Sequence, residues 1–276
     1  MARFTNRSSF IWLHILQLML IYNFSVSAAV LTYDGCMSDS ANSYTVGGWC
    51  FLFYSNPSWG NNAPTQDGAQ SVCLPHGSLA VGVTYKMWNK FYTNILTATA
   101  PLAWVALSRN LSYASNKDGW YWRTLLPTGG NATFPAIFSN IPWYPGEPDG
   151  FTGPVEDAAV VAYSGGLRDV RKAFTYPTYG ITRLAVICQF APPQWSFSQR
   201  GHGRMANSTY VVTRSTISEL ECVVQCYKNV FCVSLAFNPT TNDCQVYAVS
   251  PEDPRFSGSV TADSSYDWYI RDGMQY

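Results

Sequence analysis

Eight cysteines, all placed beyond residue 30, constrain this 276-residue chain more than any other feature. Cys36, Cys50, Cys73 and Cys188 are spread widely, while Cys222, Cys226, Cys232 and Cys244 are packed into 23 positions. Ahead of them residues 1–29 read as a secretory signal peptide. Arg3 and Arg7 form a basic start, Phe10 to Phe24 is largely apolar, and small residues follow at Ser25, Ser27, Ala28 and Ala29. The competing reading is an uncleaved anchor, but the apolar run is shorter than the roughly 20 residues a span needs. The expectation is a secreted, extracellular chain without a membrane span after cleavage near Ala28 or Ala29. An even cysteine count in that compartment argues for four disulfides. Zinc is the alternative, and the tight Cys222, Cys226, Cys232 group lacks a nearby histidine or CxxC pair. Asn110, Asn131 and Asn207 head open glycosylation sequons, which also fit secretion.

Composition removes several function classes. Basic and acidic side chains balance at 17 each, so no positive excess exists to bind nucleic acid. With 47% hydrophobic residues the chain can bury a core. Beyond the signal only His76 and His202 could act as an imidazole base, and every cysteine has a potential partner, which argues against an enzyme. Glu147 with Glu156 could mimic a glycosidase carboxylate pair, and no glycine-rich phosphate loop follows a strand.

Short strands and few helices predict an α+β class. Thr65 caps a predicted helix to Leu74, and Tyr85 to Leu96 reads as a second. Strands are expected at Ala103–Leu107, Trp120–Trp122, Ala158–Tyr163 and Leu184–Phe190, with a long loop from Thr124 to Val155. The Pro-, Gly- and Ser-rich stretch at 193–203 reads as a linker between domains at 30–192 and 204–276. In the second domain Ser218 caps a helix over Glu219–Asn229, with strands at Val230–Phe237, Cys244–Ala248 and Trp268–Ile270.

Glu147, Asp149, Glu156, Asp157 and Asp169 crowd into one 23-residue window. Clustered carboxylates raise one another's pKa unless a cation or basic side chain compensates. Outside the cell the hard, oxygen-seeking cation at hand is calcium; a solvated acidic loop is the plain alternative.

Several short motifs fall in a familiar order. They are Gly48-Trp-Cys50-Phe-Leu-Phe-Tyr54, Asp67-Gly-Ala-Gln-Ser-Val-Cys73, Trp104-Val-Ala-Leu107, Trp120-Tyr-Trp122, Trp143-Tyr-Pro-Gly-Glu-Pro-Asp149, Glu156-Asp-Ala158, Leu167-Arg-Asp169 and Val186-Ile-Cys188. Together they resemble the long-form C-type lectin-like domain. The resemblance implies Cys36–Cys50 and Cys73–Cys188 bridges and loss of a further one between Ala158 and the neighbourhood of Lys172. It also implies a calcium site from Glu147, Asp149, Glu156 and Asp169, turned by a cis Pro148, in which sugar hydroxyls complete the shell of the ion. Two departures bear on that site. Asp149 replaces an amide, leaving acceptors only. Arg168 falls on a ligand position, where a guanidinium has no lone pair to give and could instead neutralise the carboxylates.

Cys222-x3-Cys226-x5-Cys232-x11-Cys244 resembles the PAN/apple domain and implies Cys222–Cys244 and Cys226–Cys232. The expected function is therefore calcium-dependent recognition of glycans or glycoproteins, with a possible protein partner through the PAN/apple domain. The alternative is a calcium-independent protein-binding or adhesion module that keeps the fold without a working sugar site. Trp104, Trp120 and Trp122 are expected in the core, with Trp59 and Trp195 freer to stack on sugars.

Overall fold

The computed structural model describes residues 31–55, 65–82, 84, 87–88, 102–150, 155–162, 165–173 and 184–274. The signal peptide, most of the helix expected over 85–96, Trp59 and Tyr163 lie outside the described residues. Residues Leu31–Tyr276 form one compact unit of mixed α and β structure. No helix among the described residues is long and apolar enough to cross a membrane.

The chain opens with helix α1 (Tyr33–Ser38) and a hairpin of β1 (Ser43–Val46) and β2 (Trp49–Tyr54). Helix α2 (Gln66–Val72) starts where the sequence places it, with the Thr65 hydroxyl accepting from the Gly68 N–H. Then come β3 (Ser78–Leu79), β4 (Leu102–Arg109), β5 (Trp120–Leu125), β6 (Asn131–Pro135), β7 (Ala158–Ala162), β8 (Gly166–Val170) and β9 (Leu184–Phe190). Among the described residues these strands form one sheet, ordered β1-β2-β9-β4-β5-β6, with β3 on β9, β7 on β4 and β8 on β7. β4 and β9 are parallel neighbours and each is buried along its whole length. That burial explains their near-continuous apolar sequences.

Two buried glutamines fasten α2 to this sheet. The Gln66 amide donates to the Val105 and Leu107 carbonyls and accepts from Ser108 Oγ. Gln70 donates to the Arg123 carbonyl and accepts from the Leu125 N–H. β4 shifts register against β7 between Trp104 and Ser108, and Gln66 satisfies carbonyls within that irregular stretch.

The second sheet holds β10 (Phe197–His202), β12 (Val211–Thr216), β13 (Ser234–Asn238), β14 (Asp243–Tyr247) and β16 (Asp267–Arg271), ordered β10-β16-β13-β14-β12. A two-stranded ribbon pairs β11 (Arg204–Met205) with β15 (Val260–Thr261). Helix α3 (Glu219–Lys228) packs on β13 and β14 and begins with a full capping box between Ser218 and Glu221. Such a cap is typically worth ~1 kcal/mol. All eight cysteines are paired, as Cys36–Cys50, Cys73–Cys188, Cys222–Cys244 and Cys226–Cys232. Cys222–Cys244 clamps α3 to β14, and Cys226–Cys232 ties it to the connection leading into β13.

Two expectations need correction. Residues 197–202, read as linker, form β10, with a bulge between Gln199 and Gly201 that leaves Arg200 out of the register. The stretch from Thr124 to Val155 is not all loop, since it contains the edge strand β6. One buried apolar cluster runs from the first sheet through Val230, Phe231, Val249 and Ile270, and a second gathers Cys222, Cys226, Cys232, Leu235, Phe237, Cys244 and Val246 between α3 and its sheet. Phe134 of β6 meets Phe231 with ring centroids 5.5 Å apart.

The contact between the two sheets centres on Arg271, which is fully buried. Its guanidinium lies 4.0 Å from the Trp195 ring centroid, 5.8 Å from that of Phe197 and 5.9 Å from that of Trp49. Nη2 donates to the Cys226 and Tyr227 carbonyls. Burial pushes Arg271 down to about 9, so it stays charged at neutral pH. Trp195 is thus half-buried against Arg271 and Trp49 rather than free to stack on a sugar. Nearby, the β1–β2 turn touches the C-terminal turn so closely that a Cβ on Gly273 would lie 2.6 Å from Gly47 Cα.

Candidate functional site

The site forms where residues 142–150 run beside β8. Leu167 donates its N–H to the Pro142 carbonyl, and its own carbonyl accepts from the Tyr144 N–H at 2.9 Å. The approach needs a missing side chain, because a Cβ on Gly166 would lie 2.5 Å from Tyr144 Cα and N. Glu147–Pro148 is a cis peptide, and the Asn116 amide donates to the Pro148 carbonyl at 2.6 Å. The segment is therefore held at Tyr144 and again at Pro148, with Glu147 and Asp149 on either side of the second anchor.

Asp169 lies two residues beyond Leu167 on β8 and is 4% exposed. Its Oδ1 accepts from the Asp149 N–H at 3.2 Å and its Oδ2 from the Gly150 N–H at 3.1 Å. Glu147 Oε2 also accepts from the Asp149 N–H, at 3.3 Å. Glu147, Asp149 and Asp169 thereby come together with one carboxylate oxygen each within 4.8 Å of one another. Burial pushes the Glu147 carboxyl up to about 8, reinforced by the hydrogen-bonded, negatively charged Asp169 and by Asp149, while the Asp149 N–H pulls it down. A proton therefore bridges part of the cluster at neutral pH when no cation is bound.

Those spacings suit calcium, whose oxygens sit about 2.3–2.6 Å from the ion and so within roughly 5 Å of each other. Three carboxylates supply part of a shell of six to eight oxygens, and Asp149 is exposed on the open side. Asp169 keeps lone pairs beyond the two its N–H partners use. The residues fit the ion.

Glu156 does not join them. The β7–β8 register pairs Ala159 with Asp169 and Ala158 with Val170. Glu156 therefore falls three positions past the partner of Asp169, a distance of ~10 Å along an extended chain. Its neighbour Asp157 does something the sequence did not reveal. The Asp157 carboxylate accepts from the Lys172 N–H at 2.8 Å and pairs with Lys172 Nζ at 3.7 Å. This tie joins the same two segments that the implied lost bridge at Ala158 would have joined. Arg168, next to Asp169 on a strand, alternates to the opposite face, and its guanidinium lies 4.4 Å over the Tyr144 ring. The sequence offered no sign of that stacking, since Tyr144 is 24 positions away.

Asn110, Asn131 and Asn207 are all exposed. His76 is exposed, and His202 faces Asp267 at 3.1 Å on β10.

Residues 197–270 match the family described as the PAN domain. No curated protein matches the chain. Among solved structures it is similar to C-type lectin CEL-I from Cucumaria echinata, at 16% identity, covering 54% of this chain and 95% of that one with a TM-score of 0.35. The mouse scavenger receptor C-type lectin carbohydrate-recognition domain gives the same identity, coverage and score. The cow CD23 C-type carbohydrate-recognition domain matches at 15% identity, over 55% of this chain and 95% of that one, with a TM-score of 0.37. The chain thus carries a PAN domain match in its C-terminal part, and its similarity to solved C-type lectin domains lies ahead of that.

Proposed function

We propose that this is an extracellular recognition protein that binds carbohydrate through a calcium ion held by Glu147, Asp149 and Asp169. The observation that carries the reading is the convergence of those three carboxylates on one point beside an open edge. Glu147, whose carboxyl is raised to about 8, must give up a proton for the full ligand charge to form. Calcium would supply a centre that accepts adjacent hydroxyl oxygens, and Asp149 and Glu147 would accept hydrogen bonds from those hydroxyls. Lacking an amide donor at position 149, the site favours ligands that present donors to both side chains.

The test is melting of the folded, disulfide-intact protein against calcium, paired with a glycan array run with and without chelator. Millimolar calcium should raise the melting temperature, and Glu147→Gln with Asp169→Asn should abolish the rise. Glycan signals should vanish on chelation. No shift up to about 10 mM, the weak end of extracellular calcium sites, retires the calcium reading. The same outcome favours the calcium-independent protein-binding alternative, toward which the acceptor-only Asp149 points.

A further inference from the structure

The outer face of α3 is apolar where a surface helix is normally polar. Its inner face carries Cys222 and Cys226, both fully buried. On the opposite side Leu220 is 74% exposed, Val224 38% and Tyr227 39%. These positions follow the i, i+4, i+7 spacing of a single helical stripe. Isolated exposed apolar residues need no explanation, but three aligned on one ten-residue helix make a contiguous strip.

We propose that this strip docks against the same strip of a second copy of the chain, with the two α3 helices antiparallel about a two-fold axis near Val224. The residue order is self-complementary, as an isologous contact requires. In an antiparallel register Val224 meets Val224 of the second copy, and Leu220 meets its Tyr227. Glu221 and Lys228 flank the strip on the same side, so each Glu221 faces the other copy's Lys228. The Ser218 hydroxyl and N–H both donate to the Glu221 carboxylate and lower its pKa, which favours its charged form. Lys228 makes no ion pair among the described residues. Antiparallel helices also set opposite dipole ends side by side. Two ten-residue helices bury less than the ~1,200 Å² of a standard stable interface, so the dimer is weak and concentration-dependent. It would present two copies of any binding site and multiply avidity. The proposal does not rest on the calcium reading.

Sedimentation equilibrium of the disulfide-intact chain tests it. The wild type should show a reversible monomer–dimer equilibrium that Leu220→Glu weakens at least ~100-fold. Lys228→Glu and Glu221→Lys should each self-associate ~10-fold more weakly, because each homodimer then opposes like charges. Mixing the two variants should restore a mixed dimer, which loss of folding cannot mimic. A wild type that stays monomeric to about 1 mM overturns the proposal. So does a dimer indifferent to Leu220→Glu, or a mixture that associates no better than its components.

Discussion

Two places in this molecule concentrate charge, and they are built in opposite ways. Beside β8 three carboxylates converge at an edge where Asp149 remains exposed. Between the two sheets a single guanidinium, Arg271, is sealed among Trp49, Trp195 and Phe197. Aromatic rings and two carbonyls surround the arginine, and its buried charge serves packing. Burial first, and then the neighbouring carboxylates Asp169 and Asp149, raise the Glu147 pKa, and a cation arriving from the open side would relieve that cost. Closure of the surroundings, more than the presence of charge, separates a structural ion from a group that a cation could reach.

The largest effect expected from breaking this comparison is at Arg271. Arg271→Ala should cost about 3–5 kcal/mol in urea unfolding, because it leaves a cavity among the rings and removes the donor to Cys226 and Tyr227. Arg271→Met should cost clearly less, since it keeps most of the stem volume. Equal losses would show that the charge itself, rather than packing, holds the junction.

Gly166→Ala is next. The added methyl collides with Tyr144 backbone, which cannot swing aside as a side-chain tip would. A loss of ~1–3 kcal/mol is expected. Calcium affinity should fall with it, although no carboxylate is touched; unchanged affinity would uncouple the 142–150 segment from the site.

A smaller effect concerns pH. The folded pKa of Glu147 is raised from 4.5 to about 8, so its stabilising contribution is complete below pH 4.5 and is lost as pH climbs through 8. The metal-free protein should therefore melt progressively lower between those values. Glu147→Gln should flatten that slope, and an unaltered slope would contradict the assignment. Smallest of all is Lys172→Ala, expected to cost about 1 kcal/mol or less, because the pair with Asp157 is partly exposed and the backbone bond to Asp157 survives.

How much of this was legible follows from where periodicity and spacing carry information. β4, β9 and α3 announce themselves through apolar runs and the Ser218 cap. The acidic window led to Glu147, Asp149 and Asp169 because residue type and local density mark it. Glu156 falls outside that group, and strand register, which sets its separation from Asp169 along the chain, is a non-local property. β6 and β10 consist mostly of exposed and half-buried residues and lack an apolar run, so they read as loop and linker. Gln66, Gln70 and Arg271 are polar residues whose burial depends on partners dozens of positions away or more, and nothing beside them in sequence reports it.

The central claim is that Glu147, Asp149 and Asp169 form a cation site primed by a retained proton. Calorimetry of calcium binding in buffers of different ionisation enthalpy tests it directly. At pH 6 binding should release close to one proton per ion, falling toward none above pH 9, with affinity rising over the same range. Binding heats that show no proton release at pH 6, or no binding at all up to about 10 mM calcium, would contradict it.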